Sequence, residues 1–416
     1  MLGFSRFFPS MLMAVGMGLT TAAVSPRPAL SETQYTFSFG AITEDYLGRS
    51  EAYGTLPFDG ISLRSQFGFG RLGLDFTIAQ TVRGTEKAIP FYDLSYRFAN
   101  DNWKIGAGQI QRHWSPSEHT SLILSRNAPA FPAAYIAKTN PTVTDLPVLR
   151  AFGPWEGEFL VGKTSDPSQP DNALFMGARF AFQPVRGLDV ELVRTAQWGG
   201  DGQPSGLDVF WDVLTGNTNE GGSSAANQMA GLGLSYQLQR TTMPVRIYAQ
   251  AIGEDESGGL PSCFMYLAGF EFETRIFGAN STVTLETVDT RVDETGGGFC
   301  GPNTAYNNTL YPYLNEGSVM GAAIDSESQS TKLYVTHELS NMSVNWGIGY
   351  YKINDASNAA HRLSSTATSG VIVTLGASKE MFGGRVNGVL AYQGFDLDTA
   401  DLDEGLRVGL NFSKSF

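Results

Sequence analysis

The sequence is poor in cysteine, poor in charge and nearly devoid of long apolar runs. Of its 416 residues only two are cysteines, Cys263 and Cys300. No paired-cysteine zinc or redox motif can be assembled from them. Charged residues are 17% of the chain, and 41 acidic residues outweigh 28 basic ones, for a formal charge of -13. That balance argues against a nucleic-acid partner, because phosphate binding needs clustered Lys and Arg. The mean hydropathy of -0.12 argues against a bundle of membrane-spanning helices, since each span needs about 20 mostly apolar residues. No cofactor motif is present.

The one long apolar run is at the start. Arg6 precedes PSMLMAVGMGLTTAAV, and Ala29-Leu30-Ser31 supplies small residues for cleavage before Glu32, with Ala23 as the alternative site. This is the pattern of a secretory leader, residues 1–31, with 32–416 as a single exported domain. Export permits a disulfide between Cys263 and Cys300.

What the chain has in excess is glycine, 48 residues, together with 12% aromatics and persistent alternation of apolar and polar positions. The final residues show it: Leu406, Val408, Leu410 and Phe412 interleave with Arg407, Gly409, Asn411 and Ser413. Each such segment reads as a strand with one apolar face. Strands are expected near 34–41, 59–68, 71–81, 89–98, 102–111, 144–152, 156–163, 173–182 and 187–197. The second half adds 227–238, 243–253, 264–275, 281–291, 330–338, 342–352, 370–378, 384–395 and 405–416. Counting from the first strand, every second connection is short, and the alternate ones are long. Short turns on one side and long loops on the other describe an all-β, transmembrane antiparallel barrel of about 18 strands. Its extracellular loops are long, with one short helix among them. Lipid leaves backbone groups without partners, so the last strand must pair with the first. Phe416 would then join an aromatic girdle at the short-turn side. Both cysteines fall on the long-loop side.

Four loop stretches carry candidate chemistry. Residues 111–132, QRHWSPSEHTSLILSRNAPAFP, place Ser121 and Ser115 near His113 and His119. A lipase-like reading has no G-x-S-x-G and no acid to orient the histidine, so packing in the lumen is expected and enzymatic activity is not. Residues 193–217 suggest a short helix capped by Ser205 and containing Leu207, Val209, Phe210, Trp211 and Leu214. Trp198 and Trp211 offer π-faces to sugar rings, and Asp208, Asp212, Asn217 and Asn219 offer acceptors to hydroxyls. The same tryptophans suit anchoring of the loop or an interfacial belt. Residues 248–259 hold Glu254, Asp255 and Glu256 without the spacing of a calcium loop, so a solvated acidic loop is expected and no metal. Residues 296–321 place Tyr306, Tyr311 and Tyr313 where they would meet a sugar or pack a plug.

Five pieces, SLILSRNAPAFP, LVRTAQWGG, ANQMAGLGLSY, MPVRIYAQAIGED and YNNTLY with Met320-Gly321, occur in order. In this the sequence resembles the capsule-assembly (Wzi) family from about residue 110 to 325. The resemblance implies an 18-stranded barrel in the outer membrane of a Gram-negative bacterium that holds surface polysaccharide. Two departures stand out. Asn308 replaces a histidine common in the family, and YPYLNEGSVMG replaces a Tyr/Arg-rich run. Few residues lie between the expected cleavage and the first strand, so the helical bundle of enteric members is not expected and 292–329 is the candidate plug.

The partners expected are capsular or exopolysaccharide and outer-membrane lipids, with the barrel as a monomer. Arg126, Arg150 and Arg194, or a bridging divalent cation, would offset the acidic balance against an anionic polymer. The alternative is a general or sugar diffusion porin.

Overall fold

The structure, a computed structural model, describes residues 31–49, 59–81, 89–99, 101–216, 226–238, 243–257, 260–294 and 300–416. The expected leader lies outside these residues except for Ser31, where the first strand opens.

The strands are β1 (Ser31–Ile42), β2 (Gly60–Phe69), β3 (Leu72–Thr81), β4 (Phe91–Phe98), β5 (Trp103–Gln109), β6 (Pro132–Thr142), β7 (Trp155–Lys163), β8 (Leu174–Val185), β9 (Leu188–Trp198) and β10 (Ala226–Leu238). Then follow β11 (Val245–Ser257), β12 (Leu260–Ile276), β13 (Ala279–Asp289), β14 (Leu314–Asn315), β15 (Ser318–Val319), β16 (Gln329–Glu338), β17 (Met342–Ile353), β18 (Thr368–Met381), β19 (Gly384–Gln393) and β20 (Gly405–Ser415). Two short helices join them, α1 (Pro147–Arg150) and α2 (Leu207–Thr215). β14 and β15 form a separate hairpin within a loop, and the other strands make one 18-stranded antiparallel sheet. Thr36–Ile42 of β1 pairs with Gly409–Ser415 of β20, which closes the sheet on itself. The Phe416 amide adds one more bond, to the Tyr35 carbonyl at 2.8 Å.

Alternation sorts the side chains. Leu232, Leu234, Tyr236 and Leu238 of β10 and Leu406, Val408 and Leu410 of β20 are exposed on the outside. Their neighbours on the inside are polar, as with Ser235 and Asn411, or small. This is an apolar wall around a polar lumen, the arrangement lipid selects. At the short-turn end Phe98, Trp103, Trp155, Phe180 and Phe182 form a run of ring contacts 5.3–6.3 Å apart. Phe416, 68% exposed, lies at the same end. Two of the two-residue turns there have positive φ at both positions, Phe277-Gly278 with φ of 51° and 83° and Phe382-Gly383 with φ of 58° and 71°. Two positive φ values in a row match the right-handed strand twist and place glycine second.

One expected strand is corrected. Residues 144–152 do not form a strand. β6 lies at 132–142, and 147–150 is α1, in a connection of the short-turn side. Pro147 at the helix start explains it: proline suits a first helical turn and interrupts a strand. Arg150, in α1, therefore lies at the end opposite the long loops and cannot meet an external polymer.

Candidate functional site

The lumen is occupied by protein. Residues 110–131, between β5 and β6, descend into it as a folded-back loop, with the Trp114 amide bonded to the Leu124 carbonyl at 2.8 Å. Gln250 of β11 holds the bend, accepting from the Leu122 amide at 2.9 Å and donating to the Trp114 carbonyl at 2.7 Å. Deeper still, Arg246, the second residue of β11, donates to the Pro116 carbonyl at 2.7 Å. The loop thus reaches most of the way to the short-turn end. Its Trp114 ring crosses to β8, where a side-chain carbon at Gly177 would come within 2.8 Å of it.

A buried polar cluster locks the tip. The Ser117 hydroxyl donates to Glu286 of β13, and the Tyr248 hydroxyl does so at 3.0 Å. Lys332 of β16 stands 3.7 Å from Glu286 and donates to the Thr120 hydroxyl at 2.7 Å. Both charged side chains are at most 2% exposed. Burial of either charge alone would be costly, so the pair and its hydrogen bonds form one unit.

The second plug segment, of which 290–294 and 300–328 are described, packs on the first. Tyr306 donates to the Leu122 carbonyl at 2.9 Å, and the Ser125 amide donates to the Met320 carbonyl at 2.8 Å. The rings of Tyr306 and Tyr313 stack at 6.0 Å. Both hydroxyls are pushed well above the usual tyrosine range by burial. The Cys263–Cys300 disulfide, Cα atoms 5.2 Å apart, ties this segment to β12. At the mouth Arg362 clamps it from the 354–367 loop, donating to Asp325 at 2.7 Å and to Asn307 at 2.5 Å. Arg291 likewise bridges to Asp355 at 2.9 Å. Burial raises the Glu327 carboxyl above the ordinary range against the pull of the Asn303 and Val292 amides and Arg291. The remaining mouth surface is acidic, with Asp293, Glu294, Glu316, Asp355 and Asp398 exposed.

The sequence-derived candidates do not converge. Tyr306 and Tyr311 are at most 1% exposed, and Tyr311 donates to the Gly199 carbonyl at 2.9 Å. Their rings are enclosed by protein and offer no face to a sugar. Arg126 is exposed, but its guanidinium turns to the Glu118 carbonyl inside the descending loop. Trp198, Arg194, Asp208 and Trp211 gather elsewhere, at α2 on the outer wall of the barrel. Trp198 is 1% exposed beneath α2, so it cannot stack on a sugar. Arg194 donates to the Val213 and Leu214 carbonyls at 2.5 and 2.6 Å and caps the helix C-terminus. Asp208 and Trp211 stay exposed. The helix has Gly206, not Ser205, at its N-cap and no side-chain cap there. Asn217 and Asn219 lie outside the described residues.

The acidic run at 254–256 is strand and not loop: it continues β11, and Glu254 is 5% exposed. Among the described residues no group of three His, Cys, Asp or Glu is placed to hold a metal. Ser121 donates to the Trp114 carbonyl at 2.7 Å, and the His119 ring stacks on Tyr334 at 3.9 Å. Sequence reasoning missed Arg291 and Arg362. A lone arginine in a long loop has no periodic signal, and the partners Asp325 and Asp355 are distant in sequence.

A family model for the capsule assembly protein Wzi matches residues 79–405. The chain belongs to the Wzi family. A protein described as uncharacterized, of 55.8 kDa, from the cps region of Klebsiella pneumoniae is 33% identical over 172 residues, 41% of this chain and 34% of that protein. The chain thus spans about a third of that relative. Wzi of Escherichia coli, described as an outer membrane protein involved in group 1 capsule assembly and a carbohydrate-binding β-barrel, superposes with a TM-score of 0.75 at 23% identity. The match covers 93% of this chain and 85% of that one. OprD of Pseudomonas aeruginosa has the same kind of barrel, with a TM-score of 0.51 at 10% identity over 93% and 95% of the two chains. This Wzi-family chain is an outer-membrane β-barrel.

Proposed function

We propose that this Wzi-family barrel binds capsular or exopolysaccharide at the cell surface and keeps it attached, without a catalytic step. Membership of the family carries the reading, and the occupied lumen supports it over the porin alternative. Two loops hydrogen-bonded to each other and to facing strands fill space that a diffusion pore would leave to water. The polymer-contacting surface is the mouth built from 290–294, 300–328 and 354–367, where Arg291 and Arg362 are partly exposed among carboxylates. An acidic rim favours neutral sugar hydroxyls, or an anionic polymer bridged by a divalent cation. The barrel works as a monomer, with outer-membrane lipid around its wall.

Deletion of the gene tests this. Surface polysaccharide is expected to move from the cell pellet to the culture medium, with total polysaccharide unchanged. Undiminished retention would contradict the proposal.

A further inference from the structure

Helix α2 lies on the lipid side of the wall. Leu160, Phe175, Val193 and Met229 belong to the core that contains the plug, so their faces of β7–β10 point inward. The alternate positions point outward, and there Met176, Ala196 and Trp198 pack with Val209 and Val213 of α2 in a separate cluster. Phe159, Val161, Leu174 and Ala226 border it. Elsewhere on these strands outward apolar residues are open, as with Leu192 at 46% and Leu232 at 37%. Under α2, Met176 and Trp198 fall to 0% and 1%.

The depth of this contact is set by the strand. Met176 and Leu174 stand about 15 and 20 Å above Phe182 of the lower girdle, at ~3.3 Å per residue and a tilt of about 40°. The apolar band of such a barrel is about 25 Å tall. Two polar side chains face outward here, Gln228 level with Met176 and Arg194 level with Ala178, about 5 Å lower. They are bonded to each other, and Arg194 is bonded to the last carbonyls of α2 as well. The helix therefore removes a guanidinium from lipid while lipid-facing wall continues on both sides.

At about 100° per residue α2 divides into three sectors. Val209 and Val213 face the wall. Asp208, Asp212 and Thr215 form one polar edge. Leu207 and Trp211, 81% and 60% exposed, form a second apolar face, and the half-buried Leu214 beside them also packs on the wall cluster. We propose that this second face is covered by acyl chains of the outer leaflet, making α2 a lipid-docking helix whose polar edge meets the headgroups. An apolar helix face carrying Leu and Trp and continuous with a lipid-facing wall is the buried half of an interfacial helix.

A bimane label at Trp211→Cys, with Leu207→Cys as a second site and Thr309→Cys of the mouth as reference, tests this in the full-length barrel. The native cysteines are paired and do not react. The protein is inserted into phosphatidylcholine vesicles with or without brominated acyl chains. The labels at 211 and 207 should be quenched by the bromines roughly twofold or more beyond the label at 309, and protected from aqueous iodide. Iodide quenching equal to that at 309 would overturn the proposal and leave the face to a soluble polymer. Protection from both quenchers would overturn it in favour of a second copy of the chain.

Discussion

Lys332 and Glu286 show how single residues hold the plug. The lysine neutralises a carboxylate that also anchors Ser117 of the descending loop, so its loss leaves a buried charge uncompensated. Lys332→Met should lower stability by about 3–5 kcal/mol, and the double variant with Glu286→Gln should recover much of it. Urea unfolding in detergent micelles measures both; a single variant as stable as the parent would show the pair to be dispensable. Glu327 gives a pH dependence of defined sign. Burial raises its folded value above that of the unfolded chain. Its contribution is then fully present below the ordinary glutamate range, about 4.3, and is lost as pH rises through the folded value. Glu327→Gln, which keeps an acceptor for the Asn303 amide, should therefore raise the melting temperature at neutral pH. The gain should shrink toward pH 4, which a melting series across that range would reveal.

Among the elements, the strands were the most legible part. A period of two survives in each because one face meets lipid and the other meets water or plug. β6 escaped because Ala133, Ala134 and Ala137 put small residues on both faces, whereas Leu146, Val148 and Leu149 nearby imitate a strand around Pro147. The loops were less legible. The apolar run Leu122-Ile123-Leu124 in a long loop announces burial, and residues 111–132 are expected from sequence to pack into the lumen; yet the depth of the loop depends on Gln250 and Arg246, which only the closed barrel brings to it. Trp198 anchors the α2 segment, one of the readings its sequence allowed, and Arg194 caps that helix; alternation says that they share a face, but not that α2 covers it. Cys263 and Cys300 were legible through loop parity. Replacing both by serine should cost about 2–4 kcal/mol by freeing the 290–328 segment. In planar bilayers the parent should stay closed and the variant should show intermittent openings. A large steady conductance from the parent would refute the plug.

At the scale of the whole molecule, closure and occupation act together. Pairing of β1 with β20 satisfies the backbone in lipid, and the plug turns the enclosed space into a core. The molecule then has three surfaces: a lipid wall with α2 against it, a short-turn end rimmed by aromatics, and a mouth. The mouth is what remains for an external polymer, and the candidates drawn from sequence were scattered between plug and wall because residue type alone carries no depth. Binding of the purified, detergent-solubilised barrel to the surface polysaccharide of its own cell, with and without calcium, tests the account most directly. Saturable binding that weakens when Arg291 and Arg362 are replaced by alanine is the predicted result. No binding in either condition, from a barrel shown to be folded, would contradict it.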